Sequence, residues 1–447
     1  MPATTTPWHR RLALSLLLAR LAAAIALLPF AIDWRSPLLA SLRPAALAVL
    51  VAVPLLLIGI DGRSLRRPQG LLSRALRIAV LLVAGTTLIA TLALEARFHW
   101  VRARVLAADA ARLEKLGRHF VVGYRDPAEI TELVARRAIG GVFVGARNVE
   151  GRSTEAIRGQ IEAWQDTRRR QGLPPLLIAT DQEGGAVSRL SPPLPRQPPI
   201  ASLVAQHPDE AARSSAAHDY GLAQGRALAG IGINLNFAPV VDLNKHLVNP
   251  NDRYTRIRDR AISGDPAVVT AVARDYCRGL EEAGVHCTLK HFPGLGGVFE
   301  DTHLEAGHLR ASPDELAGSD WVPFRALMAS GAFTMLSHAR LTAIDAERPV
   351  SFSPAVVSGL IRATWRHDGV LITDDFSMGA AYASKAGIGA ASVAALDAGV
   401  DLLLIAYDPP QYFTTMDAVL IAEREGRLQE AALGRSEGRL ATAGLRR

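Results

Sequence analysis

The chain has 447 residues, enough for one large domain with an appendage or for two ordinary domains. Apolar residues make up 49% of it, high for a purely soluble enzyme, and the long aliphatic runs concentrate in residues 1–118. That segment carries 15 Arg and one Lys against five acidic residues, a net of +11, which leaves residues 119–447 at −4 and excludes a nucleic-acid partner bound on a basic globular face.

Three apolar stretches open the chain, Leu12–Ile32, Ala45–Ile60 and Ile78–Leu94. Each approaches the ~20 residues a helix needs to cross the hydrocarbon core. The second contains Pro54, and Arg20 interrupts the first, where an arginine can snorkel to the headgroups. A basic flank (Arg10, Arg11) precedes the first run but no small-residue cleavage site comes after it, so a retained span is expected in place of a signal peptide. The predicted anchor is therefore three transmembrane helices within residues 1–95, with membrane lipid as partner. The loop between the second and third spans holds Arg63, Arg66, Arg67, Arg74 and Arg77, against Arg35 and Arg43 in the first loop. With the Arg-rich loop inside, the third span delivers the remainder to the outer side, in a bacterium the periplasm or external face of the inner membrane. Arg97, Arg102 and Arg104 just past that span count against this orientation. Residues 96–118 have helical spacing and are expected to continue the third span as a connecting helix.

From residue 119 to 447, short apolar runs alternate with helical patterns. Strands are predicted at Phe120–Tyr124, Gly141–Gly145, Leu176–Ala179, Asn234–Ala238, Cys287–Lys290, Thr334–Ser337, Val370–Thr373 and Asp401–Ile405. Near-continuous apolar runs fit parallel strands covered on both faces. Helices are predicted between them, among them Thr154–Gln171, Asp209–Leu228 and Pro266–Ala283. The α/β class and eight alternations point to a (β/α)8 TIM-type barrel, in which chemistry sits at the strand C-terminal ends. At or just past those ends stand Asp181, Asp242, Lys290 with His291, His338 and Asp374. The two cysteines, Cys277 and Cys287, are too few for a disulfide framework or a zinc pattern, and two buried free thiols are expected.

Three motifs carry candidate chemistry. In IATDQEGGAVSRL, Asp181 ends a strand, where it can accept bonds from sugar hydroxyls or cap the next helix. In LKHFPGLGGVFEDTH, Lys290 and His291 lead into a glycine-rich loop that ends on Asp301 and His303. Asp301 can hydrogen-bond one imidazole nitrogen while the other faces a substrate, which favours the imidazolium and suits acid/base work. The bland alternative is a loop histidine bonded to its own backbone. In GVLITDDFSMGA, Asp374 comes after an apolar run and suits nucleophilic attack on an anomeric carbon, whereas Asp375 is placed to cap the next helix.

These motifs resemble the β-N-acetylglucosaminidase (β-N-acetylhexosaminidase) branch of glycoside hydrolase family 3, over roughly residues 119–420. KHFPG…DTH and then TDD-S-M is the specific part, and DQEGG, NFAPVVDLN and RPVSFSP match in the same order. The resemblance implies a retaining enzyme without metal or organic cofactor, acting on terminal β-linked N-acetylglucosamine through a covalent glycosyl-enzyme. It implies Asp374 as nucleophile, His303 as acid/base, Asp301 as its partner, and Asp181, Arg189, Arg260, Lys290 and His291 as sugar-binding residues. Two departures matter. Leu295 stands where the family commonly has histidine, implying altered loop packing or substrate preference. The triple-span anchor points to wall-derived or chitin-like glycans outside the membrane. Rival readings are a β-glycosidase of other sugar specificity, a non-catalytic membrane-anchored glycan-binding barrel, or a metal-dependent hydrolase using His286, His291, His303, His308, His338 and Asp374. The last lacks the HxH pair such barrels carry after the first strand, where this chain has RDPAEI.

Overall fold

The computed structural model describes residues 7–382 and 387–443. It divides into two compact units, Met1–Ala103 and Arg104–Arg447.

The first unit holds helices α1 (Pro7–Ile32), α2 (Arg43–Leu65) and most of α3 (Leu71–Leu106). All three are long and apolar enough to cross a membrane by length and composition. Leu17, Ala24, Leu57, Val80 and Ala84 pack among them, the alanines letting the backbones approach. Arg20 does not snorkel as expected: its guanidinium meets the fully buried Asp61 at 3.2 Å, and Arg77 bonds the same carboxylate. Towards the other end, Glu95 accepts from Trp34 Nε1 at 2.8 Å and Arg35 at 2.6 Å. Each carboxylate thereby ties two or more segments together where an unpaired charge would be costly.

The continuous connecting helix expected over residues 96–118 is broken. α3 stops at Leu106, and α4 (Ala110–Gly117) starts afresh because the Asp109 carboxylate caps it, accepting from Ala111 N and Arg112 N at 3.0 and 3.1 Å. Arg112 then pairs with Glu423 and Lys115 with Glu430, fastening α4 to the C-terminal helices Gln411–Arg424 and Glu430–Thr442.

All eight expected strands form: β1 (Phe120–Val122), β2 (Gly141–Phe143), β3 (Leu177–Thr180), β4 (Leu235–Asn236), β5 (Thr288–Phe292), β6 (Phe333–Leu336), β7 (Leu371–Asp375) and β8 (Leu402–Ile405). They pair in parallel in the order β4-β3-β2-β1-β8-β7-β6-β5. The seam between β4 and β5 is crossed by bridges, with Thr288 N donating to Ala238 O at 2.9 Å and Val241 N to Lys290 O at 2.8 Å. The sheet is thus nearly closed and barrel-like. Val121, Leu177, Ala179, Leu235, Phe237, Phe333, Met335, Val370, Ile372, Leu402 and Leu404 form one core, every second residue along each strand. The helices Thr154–Arg170, Glu210–Ala229 and Pro266–Glu282 start on capping side chains of Ser153, Asp209 and Asp265.

The two cysteines are not free thiols. Cys277, on the helix Pro266–Glu282, and Cys287, just before β5, form a disulfide with Cα atoms 5.5 Å apart. The short loop between that helix and β5 brings the two back side by side, a juxtaposition that a sequence separation of 10 does not reveal.

Candidate active site

The alternation that fills the core also aims the site. Along β7, Val370 and Ile372 face the core, and Asp374 continues their parity at the strand's C-terminal end. Asp181 continues Leu177 and Ala179 in the same way beyond β3. Asp375 has the opposite parity. It caps no helix: its carboxylate accepts from Ser377 N, Ala406 N and Tyr407 N at 2.9, 3.0 and 2.7 Å, tying β7 to the turn after β8.

Asp181 is not a helix cap either, because a tight hairpin (Gln182–Gly184 and Val187–Ser188) comes directly after β3. The turn needs Gly184, at φ +93, where a Cβ would sit 2.7 Å from Pro198 O. The hairpin buries Glu183, which sequence reasoning passed over although it lies inside the DQEGG motif. Glu183 receives Arg260 Nε and Nη2, at 2.9 and 2.6 Å, and Lys290 Nζ at 2.6 Å. Lys290 also donates to Asp181 at 2.7 Å. Burial alone would push the Glu183 carboxyl up, but the two cations overcome it and hold it well below the ordinary carboxylate range. The same carboxylates outweigh burial at Lys290 and raise its pKa.

His291 is set by Asp242, a strand-end residue to which sequence reasoning gave no role in the site. Asp242, fully buried, accepts from His291 Nδ1 at 2.7 Å, from the His291 backbone N–H at 3.1 Å and from Leu295 N at 2.6 Å. That leaves Nε2 facing Arg260 at 3.4 Å. Leu295 is buried.

Asp301 gathers a second cluster. It accepts from Arg253 N and Tyr254 N at 3.1 Å, from Thr255 Oγ1 at 3.0 Å and from His303 N at 3.1 Å, and its carboxylate lies 3.3 Å from His303 Nδ1. Burial raises the Asp301 pKa, and the bonds from His303 and its neighbours more than reverse that shift. The His303 side chain stays 40% exposed, beside the Tyr254 ring at 5.7 Å. Its backbone carbonyl accepts from Gly379 N at 2.7 Å, so the loop that carries it rests on the turn after β7.

Asp374 receives its neighbour's N–H at 2.8 Å. Burial would raise its pKa, yet the nearby His291 and His303 and the Asp375 N–H bring it below the ordinary value, so it is anionic at neutral pH. His338, buried, is fixed between Ser351 Oγ at 2.7 Å and the Asp375 carbonyl at 3.0 Å, and burial lowers its pKa. Since a carbonyl only accepts, Nε2 carries the proton and Nδ1 accepts from Ser351.

Of the eight residues singled out in the sequence, Asp181, Arg260, Lys290 and His291 join one network through Glu183 and Asp242; Asp301 and His303 form a pair; Asp374 lies within electrostatic reach of His291 and His303. Arg189 stands apart: its backbone N–H donates to Asp181 O at 3.1 Å, but its side chain is exposed and outside that network. Among the described residues, no three His, Cys, Asp or Glu side chains converge as a metal-ligand set.

A nearly closed parallel sheet with carboxylates, imidazoles and buried ion pairs gathered at its strand C-terminal ends is an arrangement that glycoside hydrolases use. The chain belongs to glycosyl hydrolase family 3: residues 112–443 match the family's N-terminal domain. It is 33% identical over 338 residues to Beta-hexosaminidase LpqI of Mycobacterium tuberculosis, covering 74% of this chain and 81% of that one. It is 35% identical over 317 residues to a Beta-hexosaminidase of Stenotrophomonas maltophilia, covering 70% and 88%. Among solved structures it resembles a family 3 beta-N-acetylglucosaminidase from Paenibacillus, with TM-score 0.66, 31% identity and coverage of 74% and 61%. A family 3 glycosyl hydrolase from Mycobacterium smegmatis gives TM-score 0.65, 32% identity and coverage of 76% and 98%.

Proposed function

We propose that the protein is a retaining β-N-acetylhexosaminidase that releases terminal β-linked N-acetylglucosamine, with the sheet acting as a (β/α)8 barrel. The observation that supports this reading is the pairing of His303 with Asp301 at 3.3 Å, with Asp374 at the end of β7 close enough to feel the His303 charge. Asp374 attacks the anomeric carbon while the His303 imidazolium protonates the departing oxygen. A glycosyl-enzyme ester forms and the aglycone leaves. His303, now neutral, takes a proton from water as the water displaces Asp374, restoring both groups. Asp301 orients His303 through its contact with Nδ1. Asp181, Lys290, Arg260 and His291 bind sugar hydroxyls, with Glu183 and Asp242 holding them in place; Arg189 would reach a ligand from the rim. Relatives named beta-hexosaminidase and beta-N-acetylglucosaminidase support the choice of sugar.

The three apolar helices anchor the protein in a bacterial inner membrane, and the hydrolase unit faces the periplasmic or external side. The Arg-rich second loop and the Cys277–Cys287 disulfide both favour that side, since disulfides persist in oxidising compartments. Peptidoglycan-derived or chitin-like glycans are then the accessible substrates. The test is hydrolysis of an aryl N-acetyl-β-glucosaminide by the purified protein. Asp374→Ala should lower kcat by ~10³-fold or more, as removal of a covalent nucleophile does. A variant as active as the parent would remove Asp374 from the role.

A further inference from the structure

Among the described residues, three Phe, Tyr or Trp rings stand well exposed on the second unit: Tyr254 at 57%, Phe299 at 51% and Tyr407 at 43%. All three lie on loops that leave strand C-terminal ends, after β4, β5 and β8. A ring in water costs free energy, and confinement of such rings to the rim of a site marks a ligand surface. The three are not equivalent. The Arg147 guanidinium already lies over the Tyr407 ring at 5.5 Å. Phe299 lines the crevice that residues 243–249 form beside it. Of the three, only Tyr254 meets a group that the proposed reaction uses: its ring centroid is 5.7 Å from that of His303.

The Tyr254 ring is tilted 46° to the imidazole, so it is not stacked on it and keeps a face in solvent. Its backbone, by contrast, is clamped. The N–H groups of Arg253 and Tyr254 both donate to Asp301 at 3.1 Å. Thr255 Oγ1 donates to the same carboxylate at 3.0 Å, while Thr255 O accepts from Arg260 Nη1 at 2.8 Å. The segment thus bridges the Arg260–Glu183 network, which in the proposed reaction binds the terminal sugar, and the Asp301–His303 pair, which serves the departing oxygen. A ring whose backbone is already fixed loses little conformational freedom when a ligand covers it.

We propose that Tyr254 is the platform on which the leaving group's sugar ring stacks, so that the natural aglycone is itself a β-linked glycan. The proposal rests on the hexosaminidase reading and adds the residue that recognises the aglycone. His303 gives its proton to the oxygen that the second sugar carries away, so that sugar leaves from beside the imidazole and its neighbour. A β-linked N-acetylglucosamine has every ring substituent equatorial, which leaves axial C–H groups on both of its faces. Those weakly positive hydrogens suit the negative face of an aromatic ring, and the contact removes apolar area from water.

The full-length protein in lipid nanodiscs is assayed on N,N′-diacetylchitobiose and on methyl N-acetyl-β-glucosaminide, whose leaving group has no ring. Tyr254→Ala should lower kcat/KM on the disaccharide by ~10-fold, chiefly through KM. It should leave the methyl glycoside unchanged, which also shows that the variant folds. Tyr254→Trp, which restores a ring face, should keep the parent's preference for the disaccharide. Equal losses on both substrates, or a displaced pH profile on the methyl glycoside, would make Tyr254 a support for His303 and overturn the platform. No loss on either substrate overturns it too. A parent that cleaves neither glycoside overturns the hexosaminidase reading by itself. Calorimetric titration with the disaccharide then decides the platform, which stands if Tyr254→Ala binds more weakly than the parent and falls if the two bind alike.

Discussion

Glu183 shows how much a single buried charge organises. It sits under Arg260 and Lys290, and the second carboxylate that Lys290 reaches, Asp181, is less deeply buried. Glu183→Gln leaves two buried cations undercompensated, which costs ~3–5 kcal/mol by the usual behaviour of broken buried pairs. The variant should show a lower melting temperature at neutral pH and a raised KM. The pH dependence has a definite sign. The Glu183 pKa falls on folding, so its stabilisation is complete above the ordinary value of 4.5 and is lost as pH drops below it. Asp301 behaves alike from its ordinary value of 3.8. Melting temperature should therefore fall as pH drops below ~4.5 in the parent, and less steeply in Glu183→Gln. Identical slopes in calorimetric melts of the two proteins would show that Glu183 does not carry the linkage.

At the scale of the element, the site depends on a loop resting on a turn. Gly379 lies just beyond β7, and a Cβ there would be 2.3 Å from Leu304 O and 3.0 Å from His303 O. Both contacts are backbone and cannot swing aside. Gly379→Ala should lift the His303 loop away from the Asp374 strand, reducing kcat by ~10–100-fold, the scale on which small misplacements of a catalytic group act. KM should change little, because Lys290, Arg260 and Glu183 stand on other segments. Steady-state kinetics with an unaltered kcat would show that the loop does not position the imidazole. Loops also explain where the connecting helix broke, since a capping aspartate inside a helical pattern ends one helix and starts the next.

For the molecule as a whole, a C-terminal alkaline phosphatase fusion should be active in bacterial cells if the proposed topology holds; an inactive fusion made at normal levels would refute it. The disulfide gives a second handle. It closes a loop over a sequence separation of 10, and Cys277→Ser with Cys287→Ser should cost ~2–3 kcal/mol, seen as a lower melting temperature. A double variant as stable as the parent would mean that the bond adds nothing to the fold.

The strand pattern, the three apolar helices and the strand-end placement of Asp181 and Asp374 were legible in the chain, because period-two alternation and long apolar runs are local signals. The Asp301–His303 contact was legible too, two residues apart on one loop. Tertiary structure decided the rest. The roles of Glu183 and Asp242 depend on a cation and an imidazole 77 and 49 residues away, and nothing near either residue in the chain announces such partners. Arg20 looked like a snorkelling arginine until the packing of α1 and α2 set Asp61 beside it. Cys277 and Cys287 looked like separate thiols until a helix and a strand folded back on each other. Pattern reports which face of an element is buried; which charges meet on that face is settled only when distant segments close around a shared core.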